Sequence, residues 1–292
     1  MINPAPLVAA NIPYKLVRLA SGTFSVHSTA ESETFHPVIG PVAEAEALYV
    51  RQLGIRERVQ IHDGAFVIWD VGLGAAANVL TVLNALQDLE VSLKIISFDR
   101  TIEPLKFALN HAAELGYFAG HETLVRQFVE GESVLMQCGK IRLEWSLELG
   151  DFPAALETPR IQRLPKPSAI LFDAYSPAKN PAMWTQPLFA RIFSLLDPKI
   201  PCAMPTYSRS TMLRVSLLLA GFYVGVGHAT GEKEETTIAA NSLSLINEPL
   251  DRTWLIRARK STSAEPLWEP NYRQAPLSDE TWVKLQAHSQ FQ

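Results

Sequence analysis

Four aspartates stand at or just beyond the ends of short apolar runs: Asp70 in "FVIWDV", Asp99 in "IISFD", Asp151 in "LELGD" and Asp173 in "AILFD". Carboxylates at strand ends accept hydrogen bonds from ligand hydroxyl and amino groups. The first run leads into "DVGLGAAANVL", in which Gly72 and Gly74 let the backbone turn tightly and approach a ligand ahead of a helix N-terminus. A plain strand-to-helix turn gives the same pattern, as do dinucleotide-binding and S-adenosylmethionine (SAM)-binding folds. Asp99 follows Gly74 by 25 residues, close to the offset of about 20 at which an acid reaches ribose hydroxyls. Its structural alternative is a helix N-cap. Asp151 suits either an adenine amino group or the cap of a helix beginning at Phe152. Asp173 opens "DAYSPAKNPAMW", where Pro177 and Pro181 bracket Lys179 and Asn180. Lys179 and Asn180 fit substrate contact or loop bracing equally well. Trp184 reads as packing rather than base stacking.

These residues need elements to position them. Apolar runs at 66–71, 93–98, 168–175 and 200–207 read as buried strands, and 235–241 as the last strand. A hairpin turns at Cys138–Gly139–Lys140. Helical spacing covers 75–89, 103–116 (closed by Gly116), 122–132, 186–197 and 208–222 (closed by Gly221). Strands alternating with helices give an α/β fold, a parallel sheet with helices on both faces. In such a sheet ligands bind beyond the carboxyl ends of the strands, where the strand order reverses. The expected organisation is an N-terminal extension at 1–60 (a hairpin and a helix), a core at 61–248, and a C-terminal extension at 249–292 with little regular structure.

Composition narrows the classes. The chain has 292 residues, 47% of them hydrophobic, enough for one large core with appendages. No apolar run reaches membrane-span length, and the proline-bearing start lacks a signal-peptide pattern. Two cysteines, Cys138 and Cys202, suggest reduced thiols in a cytoplasmic protein rather than a disulfide framework or zinc site. The seven histidines do not cluster at metal-ligand spacing, so no metal is expected. Only His27 and His36, in the polar stretch "HSTAESETFHP", raise interest, with a solvated loop as the alternative. There is no G-x-S-x-G elbow, P-loop or H-E-x-x-H. A net charge of −4 counts mildly against a nucleic-acid partner. The best basic cluster, Arg257, Arg259 and Lys260, fits a solvated tail better than phosphate contact.

"FDAYSPAKNPAMW" resembles the L-D-G-F-A-P-A-K-N-P-x-M-W signature of the SAM-dependent methyltransferase domain of the tRNA 5-methylaminomethyl-2-thiouridine family. "DVGLGAAANVL" is similar to that family's E-x-G-F-G-x-G-x-N-F-L, including Asn78. "EAEALYV" resembles its E-A-x-Y-V segment and places Glu46 and Tyr49 on the motif. "GEKEETTIA" stands where the family has G-x-K-R-E. The likeness spans about 40–240, without the FAD-dependent oxidoreductase half, so the chain looks like the stand-alone type.

The resemblance implies a class I SAM-methyltransferase (Rossmann-like) fold. It puts SAM on Asp70, Gly72, Gly74 and Asn78, with Asp99 on the ribose and Asp151 near adenine. It implies Asp173 as the catalytic residue facing the acceptor, with Glu46, Tyr49, Tyr175, Lys179 and Asn180 on the substrate side. The acceptor it implies is the aminomethyl amine of a tRNA wobble uridine. Two departures stand out: Ala76 replaces the third glycine, and Glu232, Glu234 and Glu235 surround Lys233. The other readings are a related methyltransferase with a different acceptor and a non-catalytic SAM-fold binding protein.

Overall fold

The computed structural model describes residues 13–231 and 234–292. Most of the proline-bearing start, and Glu232 and Lys233 of the late segment, lie outside the described residues.

Eleven strands are described: β1 (Tyr14–Arg18), β2 (Phe24–Ser28), β3 (Glu33–Thr34), β4 (Phe66–Val71), β5 (Ser92–Asp99), β6 (Ser133–Cys138), β7 (Ile141–Leu149), β8 (Ala169–Phe172), β9 (Ala203–Thr206), β10 (Tyr223–Gly227) and β11 (Thr236–Ala240). The first three form a small antiparallel meander, and the other eight a single sheet in the order β10-β11-β9-β8-β4-β5-β7-β6. β9, β8, β4, β5 and β7 run parallel. β11, β10 and the edge strand β6 run antiparallel to their neighbours.

β4 and β8 are buried along their whole length because helices cover both faces of the sheet. The period of two then sorts β4 between two cores. Phe66 and Ile68 pack with Val79, Leu80 and Leu83 of the helix Ala77–Leu86. Val67, Trp69 and Val71 pack with Ile170, Phe172 and the helices Gln186–Leu195 and Thr211–Ala220. The chain leaves β4 toward β5 on one side, while β8 pairs on the other. The order therefore reverses between β4 and β8, and their carboxyl ends border the crevice where ligands bind in this fold class.

The structure departs from the sequence expectations in several places. The strand expected to run to Tyr175 ends at Phe172, so Asp173 already belongs to the loop. The helix expected over 103–116 breaks at His111 into Glu103–Asn110 and Ala112–Leu115, although Gly116 does close it in a left-handed conformation. The N-terminal helix is α over Pro41–Ala45 and π over Glu46–Arg51. The C-terminal stretch carries the helices Arg252–Arg259 and Asp279–Gln286. Trp254, Leu255, Leu285 and Phe291 from that stretch join the second core. Arg259 is not a free tail cation: it pairs with Asp279 and reaches the carbonyl of Leu277. Among the described residues no helix is long and apolar enough to cross a membrane.

Candidate active site

The loop after β4 is held open by its backbone. Gly72 (φ 94°) and Gly74 (φ 50°) occupy conformations that side chains rarely tolerate. The Gly72 and Leu73 N–H groups both donate to the Phe98 carbonyl. A Cβ on Gly72 would lie 2.5 Å from the Asp173 carbonyl oxygen, so the loops after β4 and β8 touch through bare backbone. Ala76, in the place of a third glycine, still adopts a left-handed φ of 60° before the helix Ala77–Leu86.

The expected acids divide by what packs against them. Asp99 accepts from the Gly74 N–H at 2.9 Å and the Thr101 N–H at 3.2 Å. Burial raises its pKa, and these backbone N–H groups oppose the rise. Asp70 lies beneath the cleft rather than in its wall. It accepts from Ser97 Oγ at 2.6 Å, and Trp145 Nε1 donates to the same Oγ at 2.9 Å. Burial raises the Asp70 pKa to about 7, against the Ser97 hydrogen bond and with help from the charges of Asp173 and Asp99. Asp151 takes the capping role. Its carboxylate accepts from the Ala154 N–H and pairs with Arg100 at 2.6 Å.

Asp173 stands in the cleft wall. Asn78 Nδ2 donates to its Oδ2 at 2.8 Å. The loop it opens is fastened by three aromatic donors on consecutive parts of the backbone. Tyr49 Oη donates to the Phe172 carbonyl (3.2 Å), Tyr207 Oη to that of Ala174 (3.0 Å) and Trp184 Nε1 to that of Tyr175 (2.7 Å). Burial, then the charge of Asp173, keeps the Tyr49 and Tyr207 hydroxyls protonated. Two of these clamps come from distant segments, so the loop that carries Pro177 and Pro181 is also held from outside itself. Trp184 is fully buried, as its packing role requires.

Two residues without an assigned role in the sequence reading complete the wall. His36 Nδ1 lies 3.1 Å from Glu44 Oε1, and its Nε2 lies 3.5 Å from Asp173 Oδ2. One ring nitrogen of His36 and one carboxylate oxygen of each acid all fall within 4.8 Å of one another. Burial works against a charged His36, but the Asp173 carboxylate and the hydrogen bond and charge of Glu44 prevail and raise its pKa to about 9. His36 is therefore not in a solvated loop. His27 serves the meander instead, bonding Thr34 Oγ1 at 2.8 Å.

The cleft between these loops measures about 290 Å³. Gly72, Gly74, Asn78, Asp99, Asp173, Tyr175, Lys179 and Asn180 line it, with the apolar Phe98, Pro104 and Phe152. Tyr49 and Asp70 are buried behind this wall, and Asp151 lies exposed outside it. Glu46 also lies outside it, whereas Glu44, two residues earlier, lines the cleft together with Glu31 and Glu33. The meander closes one side: Glu33 accepts from the Ser176 N–H at 3.4 Å, and the Phe35 ring meets Tyr175 edge-on at 5.7 Å.

A family model described as S-adenosyl-L-methionine-dependent methyltransferase matches residues 119–242. The bifunctional protein MnmC of tRNA 5-methylaminomethyl-2-thiouridine biosynthesis from Aeromonas hydrophila is 32% identical over 213 residues, which cover 66% of this chain and 30% of the relative. The protein of the same name from Pseudomonas syringae is 27% identical over 268 residues, 83% of this chain and 38% of the relative. The chain thus spans about a third of the length of these relatives. The crystal structure of MNMC2 from Aquifex aeolicus superposes with a TM-score of 0.68 at 24% identity, covering 94% of this chain and 84% of that one, which shows the shared fold. Residues 119–242 thus match the S-adenosyl-L-methionine-dependent methyltransferase family, on a Rossmann-like sheet, and the chain is related over the matched segment to the MnmC proteins.

Proposed function

We propose that the chain methylates the aminomethyl nitrogen of a modified wobble uridine in tRNA, in the cytoplasm. The observation that carries this reading is the Asp173 wall: a clamped carboxylate at the switch point, facing a cleft that also bears Asp99 and the bare glycine loop. The names of the relatives supply the acceptor class.

The cleft fits the cofactor. Gly72 and Gly74 offer backbone with no side chain in the way. Asp99 retains lone pairs for ribose hydroxyls beyond its two backbone partners. Phe98, Pro104 and Phe152 give apolar surface for a base. Bound there, SAM supplies a methyl group on a sulfonium that an amine lone pair attacks in line. The chain's own contribution is positioning, which by itself supplies much of such a rate. Asp173 Oδ2, fixed by Asn78, receives the amine and orients it. An alkylamine with a pKa of about 10.4 arrives mostly protonated near pH 7 and must lose that proton before it attacks. Tyr175, Lys179 and Asn180 line the cleft on the same loop and meet the rest of the acceptor.

The test is nucleoside mass spectrometry on tRNA from a deletion strain, paired with purified Asp173→Ala. Loss of the methylated wobble nucleoside is expected. The variant should bind SAM within about threefold of wild type while transfer falls about 100- to 10,000-fold. An unchanged wobble nucleoside would remove the tRNA assignment, and full transfer by the variant would remove the role of Asp173.

A further inference from the structure

His36 is enclosed by two carboxylates on separate elements. Glu44 comes from the helix Pro41–Ala45, and Asp173 follows β8. All three side chains are largely buried, at 8%, 5% and 15% exposure respectively. The histidine backbone is held at φ 48°, an uncommon conformation for a residue with a side chain. Tyr49 and Tyr207 face the same cluster, and each hydroxyl donates to a backbone carbonyl. Asp70 adds negative charge from below Asp173, and Glu33 from the meander side. Such a cluster favours positive charge, and the cleft it borders takes a cofactor that is itself a cation.

Resting on the SAM-site reading, we propose that His36 is the proton-holding residue of this site. In the free enzyme its imidazolium pairs with Glu44 and Asp173. It sheds the proton when the sulfonium adds positive charge beside it, and Nε2 then accepts the proton that an ammonium acceptor must lose. Glu44 is the orienting partner, since Nδ1–H donates to Oε1 and leaves the lone pair on Nε2, toward Asp173. The bookkeeping of protons and electrons closes. The ammonium N–H bond breaks and its proton goes to Nε2. The freed lone pair forms the N–C bond, and the C–S electrons return to sulfur as the neutral sulfide. The proton on Nε2 is held again once the cation is gone.

Binding heats of the full-length chain measured at pH 8 in phosphate and in Tris count the protons released. A resting pKa of about 9 leaves His36 mostly charged at this pH. A nearby cation that lowers it by about two units then releases roughly 0.8 proton per site. SAM should show that release. S-adenosylhomocysteine, which lacks the charge, should show almost none, and His36→Gln should show almost none with either ligand. Equal release with both ligands, no release with SAM, or undiminished release in His36→Gln would overturn the proposal. Absence of any binding heat would overturn it together with the SAM-site reading. If His36→Gln does not fold, histidine NMR on the wild type decides. One ring of the seven should titrate near pH 9, with its midpoint falling on SAM addition. No such ring would refute the proposal.

Discussion

Gly72→Ala and Gly74→Ala differ by one methyl group each, on glycines two positions apart, yet the structure expects unequal results. At Gly72 the new Cβ would sit 2.5 Å from the Asp173 carbonyl oxygen and 3.0 Å from its carbon. Neither side can retreat cheaply. The Gly72 N–H is bonded to Phe98 and the Asp173 N–H to Val71. The neighbouring carbonyls of Phe172 and Ala174 are held by Tyr49 and Tyr207. A φ of 94° also lies outside the left-handed well open to alanine, which adds about 1–3 kcal/mol to about 1–3 kcal/mol of overpacking. At Gly74 φ is 50°, inside that well, at a cost of about 1–2 kcal/mol. The nearest atom there is a Phe35 ring carbon at 3.2 Å, on a side chain that can swing.

With about 2 °C of melting temperature per kcal/mol for a chain of this size, Gly72→Ala should melt roughly 4–12 °C below wild type and Gly74→Ala roughly 2–4 °C below. Differential scanning calorimetry reads both. Because the displaced atom belongs to Asp173, Gly72→Ala should also lose transfer activity out of proportion to SAM affinity. Equal melting points for the two variants, or Gly72→Ala within a degree of wild type, would refute the claim that the two loops meet through immovable backbone.

Tyr49→Phe should cost about 1–2 kcal/mol in urea unfolding, by orphaning the buried Phe172 carbonyl, and lower kcat more than SAM affinity; an unchanged midpoint would show that the clamp is idle. Asp151→Ala should lose about 1 kcal/mol of helix cap and leave SAM affinity within about threefold, whereas a tenfold loss by calorimetry would restore its expected adenine contact. His36 binds its proton more tightly in the folded chain. Its stabilisation is therefore complete below pH 6.5 and lost as the pH rises through about 9, a fall on the order of 3 kcal/mol. Wild type should show that decline in chemical denaturation, while His36→Gln should keep only the smaller fall that Asp70, its pKa raised to about 7, adds at the start of the window; parallel curves would contradict the ion cluster.

The fold was legible in the sequence where burial is uniform. β4 and β8 announce themselves because covered parallel strands are largely apolar, and β5 through Ile95, Ile96 and Phe98; the topology then carries their terminal acids to one edge. What each acid does there was not legible, since that depends on what packs against it. Asp70 meets Ser97, Asp99 meets the Gly74 N–H, Asp151 meets Arg100, and Asp173 meets Asn78 and His36. Most of these partners come from other segments, with no fixed spacing.

The choice between Glu44 and Glu46 shows the limit most sharply. Two residues apart on a regular α-helix they point to nearly opposite faces, so periodicity narrows the choice to a coin toss. A change to π geometry at Glu46 shifts the register of every later side chain, Tyr49 included. That shift goes with Tyr49 reaching the Phe172 carbonyl while Glu44, still on the α turn, reaches His36. A spacing rule applied along 42–54 assumes one helix type, and here the helix changes type between the residue that holds the histidine and the residue that holds the strand.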